Sequence, residues 1–216
     1  MAQKLGLYSY WRSSCSYRVR IALALKEIPY EYLTVNLIKD GGEQKKPDFL
    51  KVNPLGFIPA LVVNKDNQKY TLFESMAIID YLESYKPEPS IYPKDPIDRA
   101  NAIAITEAIN SGIQPLQNLF VLAEIEKLGG SKAEWAHRLI DNKFKSLESI
   151  LATTSGKYCV KDTISIADVF LVPQVYNARR FNVDMNQFPI INRISQLLEE
   201  HEAFKAAHPS AQPDAQ

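Results

Sequence analysis

The spacing of hydrophobic and polar positions changes character near residue 85. Before it, strand-like and helix-like stretches alternate. Leu5-Gly6-Leu7-Tyr8 alternates weakly and predicts a strand, followed by a polar break from Ser9 to Cys15. Residues 17–26 predict a helix. Val19, Ala22, Leu23 and Lys26 share one helical spacing there, and Ala24 and Leu25 widen the apolar face. Ile28-Pro29 ends it. Residues 30–37 are rich in β-formers and predict a second strand. Asp40-Gly41-Gly42-Glu43 signals a loop, residues 47–52 a short helix, and residues 53–59 a turn. Residues 60–63 and 70–73 flank Asn64-Lys65-Asp66-Asn67 as a hairpin. Residues 75–85 predict a further helix with Ile78, Ile79 and Leu82 inward. The order is β-α-β-α-β-β-α.

Residues 86–98 hold four prolines, Pro87, Pro89, Pro93 and Pro96, and read as a stiff linker. The expected organisation is a first domain at 1–85, a linker at 86–98 and an all-helical domain at 99–216. Helices are expected at 97–127, 132–152, 166–181 and 188–202, with breaks at Gly129-Gly130 and residues 153–156. Pro189 suits a helix start, whereas Pro115 and Pro173 bend theirs. From His208 on, the chain reads as a frayed tail. Ser165 and Asp168, in Thr163-Ile164-Ser165-Ile166-Ala167-Asp168, form a capping box, a structural device rather than a catalytic pair.

Composition narrows the function classes. Hydrophobic residues make up 46% of the 216, enough for a packed core. Lys plus Arg and Asp plus Glu number 25 each, so no global charge points to nucleic acid or anionic lipid. No apolar run is long enough for a membrane helix. Met1-Ala2-Gln3-Lys4 shows no signal-peptide core or Arg-rich transit segment. Cys15 and Cys159, far apart, make a poor disulfide framework, and a reducing, cytoplasmic setting is expected. With three His and two widely spaced Cys, no metal site is expected.

Ser13-Ser14-Cys15-Ser16 stands where a strand gives way to a helix. Such a junction presents unpaired N–H groups and partial positive charge. Three hydroxyls and a thiol exceed what one cap needs, and Arg12, Arg18 and Arg20 flank them. Hydrogen-bond donors and positive potential are what a bound thiolate requires.

The run from Tyr8 to Leu25, with Ser13-Ser14-Cys15 at its centre, resembles the signature of zeta-class glutathione transferases. The resemblance covers nearly the whole chain, through residues 36–42, Asn53-Pro54-Leu55-Gly56, residues 112–119 and Val172-Pro173-Gln174-Val175. It implies a thioredoxin-like α/β N-terminal domain followed by an all-α helical domain, in a homodimer. It implies that Ile58-Pro59 is cis and offers backbone to glutathione. Glu74 and Ser75 would then hold the ammonium and carboxylate of the γ-glutamyl end.

The glutathione contacts so implied are Ser13, Ser14, Cys15, Ser16, Tyr17, Arg18, Gln44, Ile58, Pro59, Glu74, Ser75, Gln114, Asn118, Leu119 and Phe120. Relatives often carry Gln where this chain has Glu74, and a small hydroxyl residue where it has Phe120. Ser14 is the expected thiolate donor, with Ser13 and Cys15 assisting. Arg12 and Arg180 are the expected anchors for a dianionic substrate.

The implied activity is glutathione-dependent cis–trans isomerisation of maleylacetoacetate to fumarylacetoacetate, in tyrosine and phenylalanine catabolism. The alternative is a glutathione transferase or dehalogenase acting on small α-halo acids. A non-catalytic scaffold would be expected to lack Ser13, Ser14 and Cys15. Disulfide exchange through Cys15 would need a resolving cysteine nearby. A free thiol titrates near ~8.5, and lowering that by two units takes about 2.7 kcal/mol. One or two charge-assisted hydrogen bonds at a helix N-terminus are of that order.

Overall fold

The structure, a computed structural model, describes residues 4–216. The expectation made on residues 1–3 lies outside the described residues. The chain forms two compact units: residues up to Pro89 together with Glu202–Gln216, and Ser90–His201.

In the first unit, β1 (Lys4–Ser9), α1 (Ser14–Leu25), β2 (Glu31–Thr34), α2 (Pro47–Leu50), β3 (Ala60–Lys65), β4 (Gln68–Phe73) and α3 (Ser75–Tyr85) follow the expected order. The sheet runs β2-β1-β3-β4, with β1 parallel to β2 and antiparallel to β3. Leu5 and Leu7 of β1, and Ala60 to Val63 of β3, are buried because these two strands are central. The β3–β4 hairpin turns on Asp66 and Asn67, both at positive φ (51° and 60°), the conformation a two-residue hairpin favours. Helix α1 packs on α3, whose Ile78, Ile79 and Leu82 are buried as expected.

The second unit is helical: α4 (Pro96–Asn110), α5 (Leu119–Lys127), α6 (Lys132–Thr154), α7 (Ile166–Arg180) and α8 (Pro189–Glu199). Helix α7 is its centre, buried from Ile166 to Val175 and running through Pro173. Its start is the expected structural cap. The buried Asp168 carboxylate accepts the Ser165 N–H (2.8 Å), the Ser165 hydroxyl (3.0 Å) and the Cys159 N–H (2.9 Å). Among the described residues, no helix is long and apolar enough to cross a membrane.

Three expectations are corrected. The helix expected over 97–127 is two helices, separated by a tight turn at Gln114–Gln117. The helix expected over 188–202 stops at Glu199, and α9 (Glu202–Ala207) follows. The tail from His208 is not frayed. It turns at Pro209–Ala211 and rejoins the first unit, with Pro209 and Gln212 buried.

Candidate active site

Helix α1 begins at Ser14, earlier than the apolar spacing indicated. The spacing missed the first turn because that turn is polar. Its signal was the hydroxyl run, since Ser13 caps the helix: its Oγ accepts the Ser16 N–H at 3.2 Å. A turn closed by the Ser13 N–H donating to the Tyr10 carbonyl (3.0 Å) delivers it from β1. With Ser13 doing the capping, the Ser14 hydroxyl is left for other work. Ser14 and Ser16 are buried and Cys15 is half-buried. The Ser16 hydroxyl has no partner among the described residues.

Burial pushes the Cys15 thiol above its ordinary pKa, and the Glu74 carboxylate adds to this. Arg18 and a hydrogen bond from Ser14 pull the other way without prevailing. The balance favours the protonated thiol. The other cysteine, Cys159, is fully buried in the helical unit, and burial with the Asp168 carboxylate pushes its thiol well up.

The three arginines divide their roles. Arg18 is buried and donates from Nη1 to Ser75 Oγ at 3.2 Å, joining the second turn of α1 to the start of α3. Arg20 is equally buried and belongs to the framework. It donates to the carbonyls of Ala207 (3.1 Å), Tyr10 (3.3 Å) and Trp11 (3.0 Å) and to Ser9 Oγ (3.1 Å). It shapes the loop before the site rather than facing a ligand. Arg12 is half-buried, its guanidinium 5.1 Å from the Trp11 ring centroid.

The remaining predicted groups of this unit come from two loops. Gln44 is buried, with an Oε1 that has no partner among the described residues. It lies against Gly42 (φ 105°), where a Cβ would come within 2.6 Å of the Gln44 amide. Buried Asn53 holds the next loop, donating to the Phe57 carbonyl (2.7 Å) and accepting the Leu55 N–H (3.1 Å). Sequence reasoning did not single it out. That loop ends in Ile58-Pro59, whose bond is cis, and Ile58 packs in one cluster with Tyr10, Phe49 and Ala60. Glu74 precedes α3 at φ 69°, ψ 121°, a conformation unusual for a residue with a Cβ, and its side chain caps nothing. The N–H groups at the start of α3 thus lack a side-chain cap, next to buried Ser75 and its Arg18 bond.

In the helical unit, Gln114 opens the turn before α5 and Asn118 caps that helix, accepting the Phe120 N–H at 3.2 Å. Leu119 and Phe120 are exposed. Neighbouring Gln117, which sequence reasoning passed over, is buried and exchanges amide hydrogen bonds with Gln174 (2.8 and 3.3 Å). Arg179 is bound to Glu199 (2.5 Å) and Ser195 (3.2 Å). Arg180 ends α7 at the surface, 3.5 Å from Asn177 Oδ1 and with its guanidinium 5.4 Å from the Phe181 ring centroid.

Residues 12–84 match the N-terminal domain of glutathione S-transferases, and residues 117–209 match the C-terminal domain. A probable maleylacetoacetate isomerase 2 of Drosophila melanogaster is 53% identical, over 96% of this chain and 89% of its own. A zeta-class glutathione S-transferase of Euphorbia esula is 46% identical, over 98% of this chain and 93% of its own. Among solved structures, maleylacetoacetate isomerase of Anaeromyxobacter dehalogenans with bound GSH superposes with a TM-score of 0.91. It is 41% identical and covers 100% of this chain and 99% of its own. On this likeness in sequence, fold and first-turn chemistry, the chain belongs to the zeta class of the glutathione transferase family.

Proposed function

We propose that the chain isomerises maleylacetoacetate to fumarylacetoacetate with glutathione as its cofactor. The observation that carries this reading is the first turn of α1, where Ser13 caps the helix and the buried Ser14 hydroxyl sits at its positive end. The residues present fit glutathione: among the described residues, Gln44 Oε1 and the Ser16 hydroxyl are buried polar atoms without partners, and the start of α3 has no side-chain cap.

When bound, glutathione supplies the sulfur that adds to the cis double bond and departs after rotation about it. The chain's part is electrostatic. Ser14 donates to the sulfur and holds it as the anion. Ser13 and Cys15 keep the turn in register. Arg18 contributes positive charge while bracing Ser75. Ser75 and the first N–H groups of α3 accept a carboxylate, and Glu74 takes the adjacent ammonium. Tyr17, Gln44, Ile58 and Pro59 would contribute to the surface that holds glutathione. The family resemblance also names Arg12 and, in the helical unit, Arg180 as carriers of positive charge for carboxylate substrates. The same reading takes the protein as a cytoplasmic homodimer. Exposed Phe57 and Phe73 supply apolar surface on the first unit.

The test is a glutathione-dependent maleylacetoacetate assay on the wild type and Ser14→Ala. A hydrogen bond to a charged group is worth about 1.5–3 kcal/mol, so the variant should be slower by about 10- to 100-fold at neutral pH. Turnover equal to the wild type would remove Ser14 from the mechanism.

A further inference from the structure

We propose that the C-terminal segment is part of the thiol-activating apparatus, with Asp214 a positioning residue for the turn that presents Ser14. This rests on the reading of Ser14 as the sulfur's donor.

The turn has few backbone ties, and they converge on two side chains. The Trp11 N–H donates to Asp214 Oδ2 at 3.1 Å, while the Trp11 carbonyl accepts Arg20 Nη2 at 3.0 Å. One peptide unit further back, the Tyr10 carbonyl takes Arg20 Nη1 (3.3 Å) and also the Ser13 N–H (3.0 Å). The position of Ser13, and with it Ser14, therefore follows from where residues 10 and 11 are held. Arg20 is fixed in turn by the Ala207 carbonyl at 3.1 Å, at the end of α9. Both holders of the turn thus depend on the last fifteen residues, 202–216, which belong to this unit.

The segment is built to deliver that carboxylate. Gln212, buried, donates from Nε2 to the carbonyls of Ala206 (3.0 Å) and His208 (2.9 Å), folding the chain back on itself. Asp214 then spans two strangers to its own sequence region. Its Oδ1 accepts the Tyr32 hydroxyl at 2.6 Å, while Oδ2 takes the Trp11 N–H. The contact joins the edge strand β2 to the loop after β1. A carboxylate offers one acceptor oxygen to each donor. A carboxylate makes the stronger, charge-assisted bonds. The matched family domain ends at residue 209, before this contact.

The experiment uses the full chain and the variants Asp214→Ala, Asp214→Asn and Tyr32→Phe. Four quantities are read: the unfolding temperature, glutathione affinity, turnover against pH, and titration of the bound thiol by its ultraviolet thiolate absorbance. Asp214→Ala should raise the bound thiol's pKa by about 0.5–1 unit and lower neutral-pH turnover by about 3- to 10-fold, with recovery at higher pH. Asp214→Asn and Tyr32→Phe should move both in the same direction by less. If Asp214→Ala does not fold, Tyr32→Phe carries the comparison, since it leaves both the ring and the sheet intact. A lower unfolding temperature with an unchanged thiol titration would reduce Asp214 to a structural residue and overturn the inference. Failure of the underlying reading shows separately: the unmutated protein would then bind glutathione without lowering its thiol pKa, or Ser14→Ala would titrate like wild type.

Discussion

Lys26 offers the sharpest test of how the first unit is held together. It shares the helical spacing of Val19, Ala22 and Leu23, all fully buried, and its own side chain is 0% exposed. A buried ammonium must find an acceptor for each N–H, and this one does. Nζ pairs with Glu83 at 2.6 Å and donates to the carbonyls of Lys86 (2.8 Å) and Pro89 (2.9 Å). It ties the end of α1 to the end of α3 and to the chain leaving it. Lys26→Met conserves the stem but removes the ammonium from the Glu83 carboxylate and two carbonyls. Breaking a buried pair from one side costs about 3–5 kcal/mol. The Glu83 side chain keeps 17% of its exposure, so water offsets part of that and about 3 kcal/mol is expected. For a chain of this size that is a fall of about 6–12 °C in Tm. The double variant Lys26→Met/Glu83→Leu should lose less than the sum of the single changes, since neither charge is left alone. Urea and thermal unfolding measure both. A Lys26→Met protein within about 0.5 kcal/mol of wild type would show that the buried pair is not holding these helix ends.

Two further outcomes follow from the site. Arg180→Ala should weaken dianionic substrates by at least about tenfold in KM, as expected of a lost charge-assisted bond, while leaving neutral glutathione acceptors nearly unchanged. Equal losses for both classes would dismiss Arg180 as the anchor. Cys15, with its thiol raised by burial, carries less thiolate at any given pH than a free cysteine. Iodoacetamide should therefore label it at least about 3-fold more slowly than free cysteine at pH 7.5, with the rate rising through pH 9, and Cys15→Ala should keep most turnover. Labelling faster than free cysteine would show an activated thiol and return Cys15 to contention as a nucleophile.

The alternating part of the chain was legible because each element there is short and bounded by its own turn chemistry. Asp66-Asn67 closes the hairpin, and Ile28-Pro29 stops α1 at the point where Lys26 becomes its cap. Apolar period alone failed where tertiary packing decides. Ile97 through Lys127 keeps a helical rhythm, yet a Cβ at Gly112 would sit 2.5 Å from the Ala108 carbonyl, and Pro115 follows without an N–H. The chain breaks there, and Asn118 caps a new helix. The tail read as disordered because its sequence is small and polar. Its order comes from Gln212 and Asp214 meeting partners far away in sequence. Among the candidate site residues, Ser13 announced itself locally as a cap, whereas Gln44 carries no local signal. Its burial is produced by the loop folding over Gly42, and the resemblance alone singled it out.

The arrangement of hydroxyls and thiol in the first turn of α1 bears on which atom can activate a sulfur nucleophile. A serine hydroxyl stays protonated throughout the working pH range and is always able to donate. A cysteine in the same place could help only while neutral. As a thiolate it would set a second negative charge beside the first and repel it. Burial and Glu74 keep Cys15 on the neutral side, against the pull of Arg18 and Ser14. Arg18, which is buried, donates to Ser75 and adds positive charge on the first unit. On the reading proposed here, the turn is thus built to receive a thiolate rather than to form its own. Ser14 then becomes the donor and Cys15 the neighbour whose neutrality permits it.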